Sequence, residues 1–165
     1  MKLIDDCPYL PETTRLLATS LSHFVQEHIH PIAGQIDQAG EIPRDIWLKL
    51  GEIGVLGLTV SEANGGVGMS YLDHVVAMGI ISHASASVAL SYGAHTNLCI
   101  NQIARHGTDA QKKQFLPKLI TGEWIGALAM SEAQAGSDVV GMQLHAEDQG
   151  DSYLLNGHKM WVTNG

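Results

Sequence analysis

The stretch WIGALAMSEAQAGSD, Trp124 to Asp138, divides the chain into two grammars. It opens as an apolar run and ends in small and polar residues, which lets backbone N–H groups approach a polar ligand without side chains in the way. Before it, hydrophobic residues recur at helical spacing. After it, VVGMQLHAE alternates, DQGD reads as a turn, and YLLNGHKMWVTNG reads as two short strands around an Asn156-Gly157 hairpin turn. Residues i and i+2 of an extended segment share a face, so Trp161 and Thr163 are expected to address one flat, partly polar ligand together.

Toward the N-terminus, Leu17, Leu21, Phe24, Val25, Ile29, Ile32 and Ile36 mark one face of a long helix from Glu12 to about Ile36. Pro31 is expected to bend or split it, because proline removes a donor and crowds the preceding turn. A short helix follows Pro43 and turns Ile46, Trp47 and Leu50 inward, stopping around Gly51 to Gly54. Two mostly apolar helices are expected over Tyr71 to His83 and Ser87 to His106, the second ended by Gly107. Small residues there, Gly93 and Ala94 among them, leave space for a ligand or a close neighbour. Thr108 and Gln111 form a capping-box pattern that starts a last helix through Leu119. The expected fold is therefore an all-α bundle over residues 1–122 followed by the first strands of an incomplete β-sheet or barrel-like domain over residues 123–165.

Whole-chain properties narrow the function. A length of 165 residues with 45% apolar content suffices for a buried core. The formal charge of -8, with no basic patch, argues against a nucleic-acid surface. No run is long and apolar enough for a membrane span, and the start MKLIDDCPYL has neither a signal-peptide core nor an Arg-rich presequence, so a cytoplasmic, bacterial-type protein is expected. Cys7 and Cys99 lack partner ligands and read as free thiols. The nine histidines show no ligand spacing, and metal is not expected. The GGVG of residues 65–68 lacks the spacing of a phosphate loop, and Ser137 sits in AGSD rather than in a nucleophile elbow.

Taken one at a time, Trp161 reads as a core aromatic, Thr163 as a strand residue, and Ser131 and Ser137 as loop residues. Together, MSEAQAGSD and MWVTNG resemble the acyl-CoA dehydrogenases, whose pattern is T/S-E-P-x-A-G-S-D followed later by F/W-x-T-N-G. VSEANGGVG is similar to that family's P-E-E-x-G-G-x-G, and GTDAQKKQFLPKLITGE to its G-x-x-x-Q-K-x-x-x-L-P-x-L-x-x-G-E. Within the family, LSYGAHTNLCINQIARHGTDAQKKQFLPKLITGEWIGALAMSE most resembles the isovaleryl-CoA group.

That resemblance implies an FAD enzyme that takes an α-proton and a β-hydride from a short branched acyl-CoA and yields the trans-2-enoyl-CoA. It further implies electron-transfer flavoprotein as acceptor and a homotetramer. By position, Met130 backbone groups and the Ser131 hydroxyl would meet the flavin pyrimidine edge, Trp161 would pack beside the isoalloxazine, and Thr163 would reach N5. Leu128 and Val162 flank these positions, Leu128 standing where straight-chain members often carry tyrosine. Ser137 would lie near the flavin pyrophosphate and the pantetheine of CoA, and Leu90, Ser91 and Ala94 near the acyl chain. Ala133 and Gln134 depart from the usual proline and glycine or asparagine, which should loosen the loop. The family's catalytic glutamate lies beyond residue 165, so no residue here is assigned the base and these 165 residues alone are expected not to turn over substrate. Alternatives with other chemistry are an acyl-CoA oxidase, a flavin monooxygenase-type relative, or a non-catalytic binding module.

Overall fold

The computed structural model describes residues 7–165, so the start MKLIDD, on which the reading of a missing targeting segment rests, lies outside the described residues. Helix α1, Glu12–His28, buries Ala18, Leu21 and Val25 along the predicted face. Pro31 splits rather than bends the long helix: a tight turn at His30–Ile32 carries it, and α2 resumes at Ala33–Ala39 before Gly40 stops it. Helix α3, Arg44–Glu52, turns Ile46, Trp47 and Leu50 inward. Helix α4, Tyr71–Ala84, packs between α1 and α5, Ala86–Gly93.

The predicted helix from Ser87 to His106 is continuous in direction but not in winding. Between α5 and α6, Asn101–His106, residues Ala94–Ile100 form a π-helical segment, with the Asn101 N–H reaching back to the carbonyl of Thr96. Such wider turns recur at functional sites, because an extra residue per turn redirects the side chains on either side. Gly107 ends α6 with extended backbone, φ -68° and ψ 151°, rather than in the left-handed conformation expected of a glycine there. Helix α7, Asp109–Ile120, starts with the Thr108–Gln111 capping box and ends at Gly122, whose φ is 76° and whose missing Cβ leaves room for the Trp47 carbonyl.

The core is drawn mostly from the helices, with Leu58 and Val60 of the loop after α3 joining it: Leu21, Ile29, Ile46, Leu50, Ile80, Ile81, Tyr92, Ile100 and Leu116 are all at most 1% exposed. Burying each such side chain stabilises the fold by about 1.5–3 kcal/mol before entropy is counted. A buried polar tie joins α1 to α4. The Thr14 hydroxyl of α1 donates to Asp73 Oδ1 at 2.6 Å, while Asp73 Oδ2 accepts from the backbone N–H and hydroxyl of Ser70, closing the capping box of α4. Burial alone would raise the Asp73 pKa, but these hydrogen bonds outweigh it and hold the carboxyl below its ordinary range.

After Gly122 regular structure is sparse. Strands β1, His145–Asp148, and β2, Tyr153–Asn156, pair antiparallel, with Ala146 opposite Leu155. The hairpin turns at Gln149–Ser152, where the Gln149 N–H donates to the Ser152 carbonyl at 2.9 Å and Gly150 has φ 86°. Asn156-Gly157 is therefore not the hairpin turn that its sequence suggests. The residues after it find no ladder partner among the described residues, and neither WIGALAM nor KMWVTNG forms a strand. Among the described residues no helix is long and apolar enough to cross a membrane.

Replacing Asp73 with alanine removes the acceptor of both Thr14 and Ser70. The variant should lose about 2 kcal/mol in urea unfolding followed by circular dichroism.

Candidate functional site

Helix α5 and the π segment carry a constellation on two faces. On one face, Leu90, Gly93, Ala94, Asn97 and Leu98, with His74 and Met78 of α4 opposite, line an open, largely apolar cavity of about 190 Å³. The predicted pair Leu90 and Ala94 thus fall into one cavity. Met78 closes the space left at Gly93, where a Cβ would meet its Cε at 3.0 Å. His74 stacks on Tyr92 with ring centroids 5.4 Å apart. The Tyr92 hydroxyl donates to the Val55 carbonyl at 3.1 Å, leaving its oxygen to face His74 Nδ1 at 3.4 Å. Burial lowers the His74 pKa, so this wall of the cavity is neutral at pH 7.

The other face holds the segment after Gly122. His95 is fully buried; its Nδ1 accepts from the Gly126 N–H at 2.8 Å, and its Nε2 lies 3.0 Å from the Leu119 carbonyl. An N–H can only donate and a carbonyl can only accept, so the ring is the neutral tautomer with hydrogen on Nε2. Burial pulls its pKa down to about 4; the Leu119 carbonyl works against that shift and the Arg44 charge adds to it. Gly126 comes this close because its missing Cβ leaves room for Cys99, whose thiol takes the Ala127 N–H. Next along the helix, the Ser91 carbonyl accepts from Asn164 Nδ2 at 3.0 Å, and the same amide reaches the Gly126 carbonyl at 3.2 Å. The C-terminal turn is thereby docked on the helix that lines the cavity.

Glu132 organises the rest. Its Oε1 pairs with Lys159 Nζ at 2.8 Å and accepts from the Leu144 N–H at 2.9 Å. Its Oε2 accepts from the Gln143 N–H at 2.7 Å and from Gln134 Nε2 at 2.8 Å. Lys159 foremost, then the two backbone N–H groups, hold the Glu132 pKa down to about 2. Lys159 also donates to the Met130 carbonyl at 3.0 Å, and the Met160 N–H donates to the Ser131 carbonyl at 3.0 Å. Met130 and Ser131 are thus set beside the turn that bears Val162 and Thr163.

Trp161 departs from the expectation. Residue 161 has a left-handed φ of 58° and its indole is 87% exposed, so it shares no extended face with Thr163. With a single backbone hydrogen bond to Ser131, the segment turns instead of extending. Leu128 and Met130 are also exposed. Ser137 is exposed in the turn before Val139–Gly141 and makes no hydrogen bond among the described residues, so no hydrogen bond joins it to the Met130–Ser131 edge. Sequence reading missed Glu132, Lys159, His95 and Asn164 as organising residues. Glu132 and Lys159 lie 27 positions apart, and only their placement within the two motif stretches hinted at them.

Residues 11–123 match the family described as "Acyl-CoA dehydrogenase, N-terminal domain". The chain belongs to the acyl-CoA dehydrogenase family. More particularly, it is 55% identical over 158 residues to the mitochondrial isovaleryl-CoA dehydrogenase of Pongo abelii, covering 94% of this chain and 37% of that protein. The acyl-CoA dehydrogenase of Geobacillus kaustophilus superposes with a TM-score of 0.90 at 35% identity, covering 96% of this chain and 41% of that one. An acyl-CoA dehydrogenase from Bacillus anthracis complexed with FAD superposes with a TM-score of 0.88 at 30% identity, covering 94% and 27%. The chain thus spans well under half the length of these relatives.

The depressed His95 pKa has a definite sign. Between about pH 6.5 and about pH 4 the unfolded chain binds a proton that the folded one refuses, so stability is full above the upper value and is lost as pH falls through the window. The loss should be on the order of 3 kcal/mol. Urea titrations at a series of pH values should show it in the wild type and largely abolish it in His95→Asn.

Proposed function

We propose that the full-length protein is an FAD-dependent acyl-CoA dehydrogenase that oxidises a short branched acyl-CoA, isovaleryl-CoA or a near analogue, to the trans-2-enoyl-CoA. One observation carries this reading: a single helix lines a small apolar cavity with Leu90 and Ala94 and, through Ser91 and His95, holds Asn164 and Gly126, which lie in the chain beside Thr163 and ahead of Met130–Ser131. A cavity of about 190 Å³, narrowed by Met78, suits a short acyl group better than a long one.

The residues present fit one edge of a flavin. The N–H groups of Met130 and Ser131 and the hydroxyls of Ser131 and Thr163 make no hydrogen bond among the described residues, and the Trp161 indole offers an exposed flat surface. Met130 and Ser131 would hold the pyrimidine edge, Thr163 the N5 position, Trp161, Leu128 and Val162 the ring surroundings, and Ser137 the pyrophosphate and pantetheine side. When bound, the flavin supplies a hydride acceptor. The chain's own contribution is to aim donors where negative charge develops and to exclude water from the acyl cavity. No residue within 7–165 is assigned the proton abstraction. Electron-transfer flavoprotein as acceptor, a homotetrameric assembly and a domain boundary near Gly122 complete the proposal.

Purified full-length protein should be yellow and should oxidise isovaleryl-CoA faster than octanoyl-CoA with electron-transfer flavoprotein as acceptor. Colourless protein, or a preference for octanoyl-CoA, would overturn the reading. Ala94→Leu fills the cavity and should cut kcat/KM for isovaleryl-CoA by at least about tenfold without bleaching the flavin. Thr163→Val should slow flavin reduction about tenfold in stopped-flow assays while leaving the thermal midpoint unchanged.

A further inference from the structure

We propose that His95 is a positioning residue that fixes the 126–131 segment against the helix lining the acyl cavity, by accepting the Gly126 N–H at Nδ1 while donating from Nε2 to Leu119. Its functional consequence rests on the reading of residues 126–131 as a flavin edge and of the neighbouring Ala94 as part of the acyl cavity.

The geometry leaves His95 little freedom. The ring is 0% exposed, and the Trp47 indole meets it edge-on with centroids 5.2 Å apart and planes at 74°. Both nitrogens are committed, one to each side of the junction between α7 and the segment that follows it. Gly126 is pinned three ways: by its N–H on His95, by its carbonyl on Asn164, and by Cys99 filling the place of a Cβ. His95 directly follows Ala94 in the chain, so the residue lining the cavity and the residue holding Gly126 are successive positions of one π-helical turn. A shift of the segment relative to the cavity requires breaking the Gly126 bond or moving the helix. Arg44 is the charged group whose field reaches the ring. At neutral pH the imidazole is uncharged, so Nδ1 keeps its lone pair for Gly126.

Two variants separate positioning from mere filling of space. The Asn amide places an acceptor where Nδ1 stands but cannot reach Leu119. The Gln amide reaches Leu119 but leaves the Gly126 N–H unpaired. In the full-length protein, His95→Asn and His95→Gln should lower the thermal midpoint similarly, since each gives up one hydrogen bond. Amide exchange at Gly126 should accelerate about tenfold in His95→Gln and by less than about twofold in His95→Asn. The FAD dissociation constant should rise about tenfold in His95→Gln alone, and added His95→Asn protein should retain the wild-type flavin spectrum. Equal exchange and equal FAD affinity in the two variants would overturn the proposal. A colourless wild type would refute the flavin reading, and the exchange contrast would then decide the role of His95 without it. Should neither variant fold, the ¹⁵N shifts of the wild-type ring decide: a bare Nδ1 supports the clamp, and a protonated Nδ1 refutes it.

Discussion

A buried carboxylate does for the second part of this chain what leucines and isoleucines do for the first. Beyond Ala127 the only buried residues among those described are Glu132 and Ala135, so hydrophobic burial contributes little there. Glu132 instead gathers Gln134, Gln143, Leu144 and Lys159 around its two oxygens. Every lone-pair direction has a donor, and this is the condition under which a desolvated charge is tolerable. Residues far apart in the chain are thereby set side by side, and the Met130–Ser131 edge takes its place against the C-terminal turn.

The two parts meet on a single helix. Its outward face is apolar and lines the cavity, while its inward face offers a carbonyl at Ser91 and an imidazole at His95 to the segment that follows the bundle. Sharing one element makes the distance between cavity and edge a property of helix geometry rather than of loop conformation. Elements buried as deeply as Tyr92 and Ile100 move little, so the site inherits the stiffness of the core.

The periodicity of α1 and α3 was legible because each buries one face, whereas α4 and α5 carry apolar residues all round, Val75 and Leu90 standing exposed; the Thr108–Gln111 box was legible because its two partners are three residues apart. The family resemblance was carried by MSEAQAGSD, MWVTNG and GTDAQKKQFLPKLITGE, and the match over residues 11–123 bears it out. Strand positions were less legible. Asn156-Gly157 has turn chemistry, yet β2 ends there and the hairpin closes at Gly150. Local signals specify that the chain can turn, whereas pairing partners decide which turn becomes a hairpin. The expected shared face of Trp161 and Thr163 failed for the same reason, since alternation presumes a strand and none forms there. Pairings across 27 or 31 residues, as for Lys159 with Glu132 and Gly126 with His95, leave no periodic trace.

The π-helical stretch from Ala94 to Ile100 has a consequence for how this protein can change over evolutionary time. The wide turn takes up one extra residue, so deleting one residue there would restore regular winding and leave the helices on either side facing nearly as they do now. Leu90 could keep its place at the cavity and Ile100 its place in the core, while the side chains within the stretch, Ala94 and His95 among them, would be aimed anew. A change of length at this point therefore reshapes the cavity wall without unseating the bundle, whereas the same deletion inside α4 would turn the rest of that helix by about 100°.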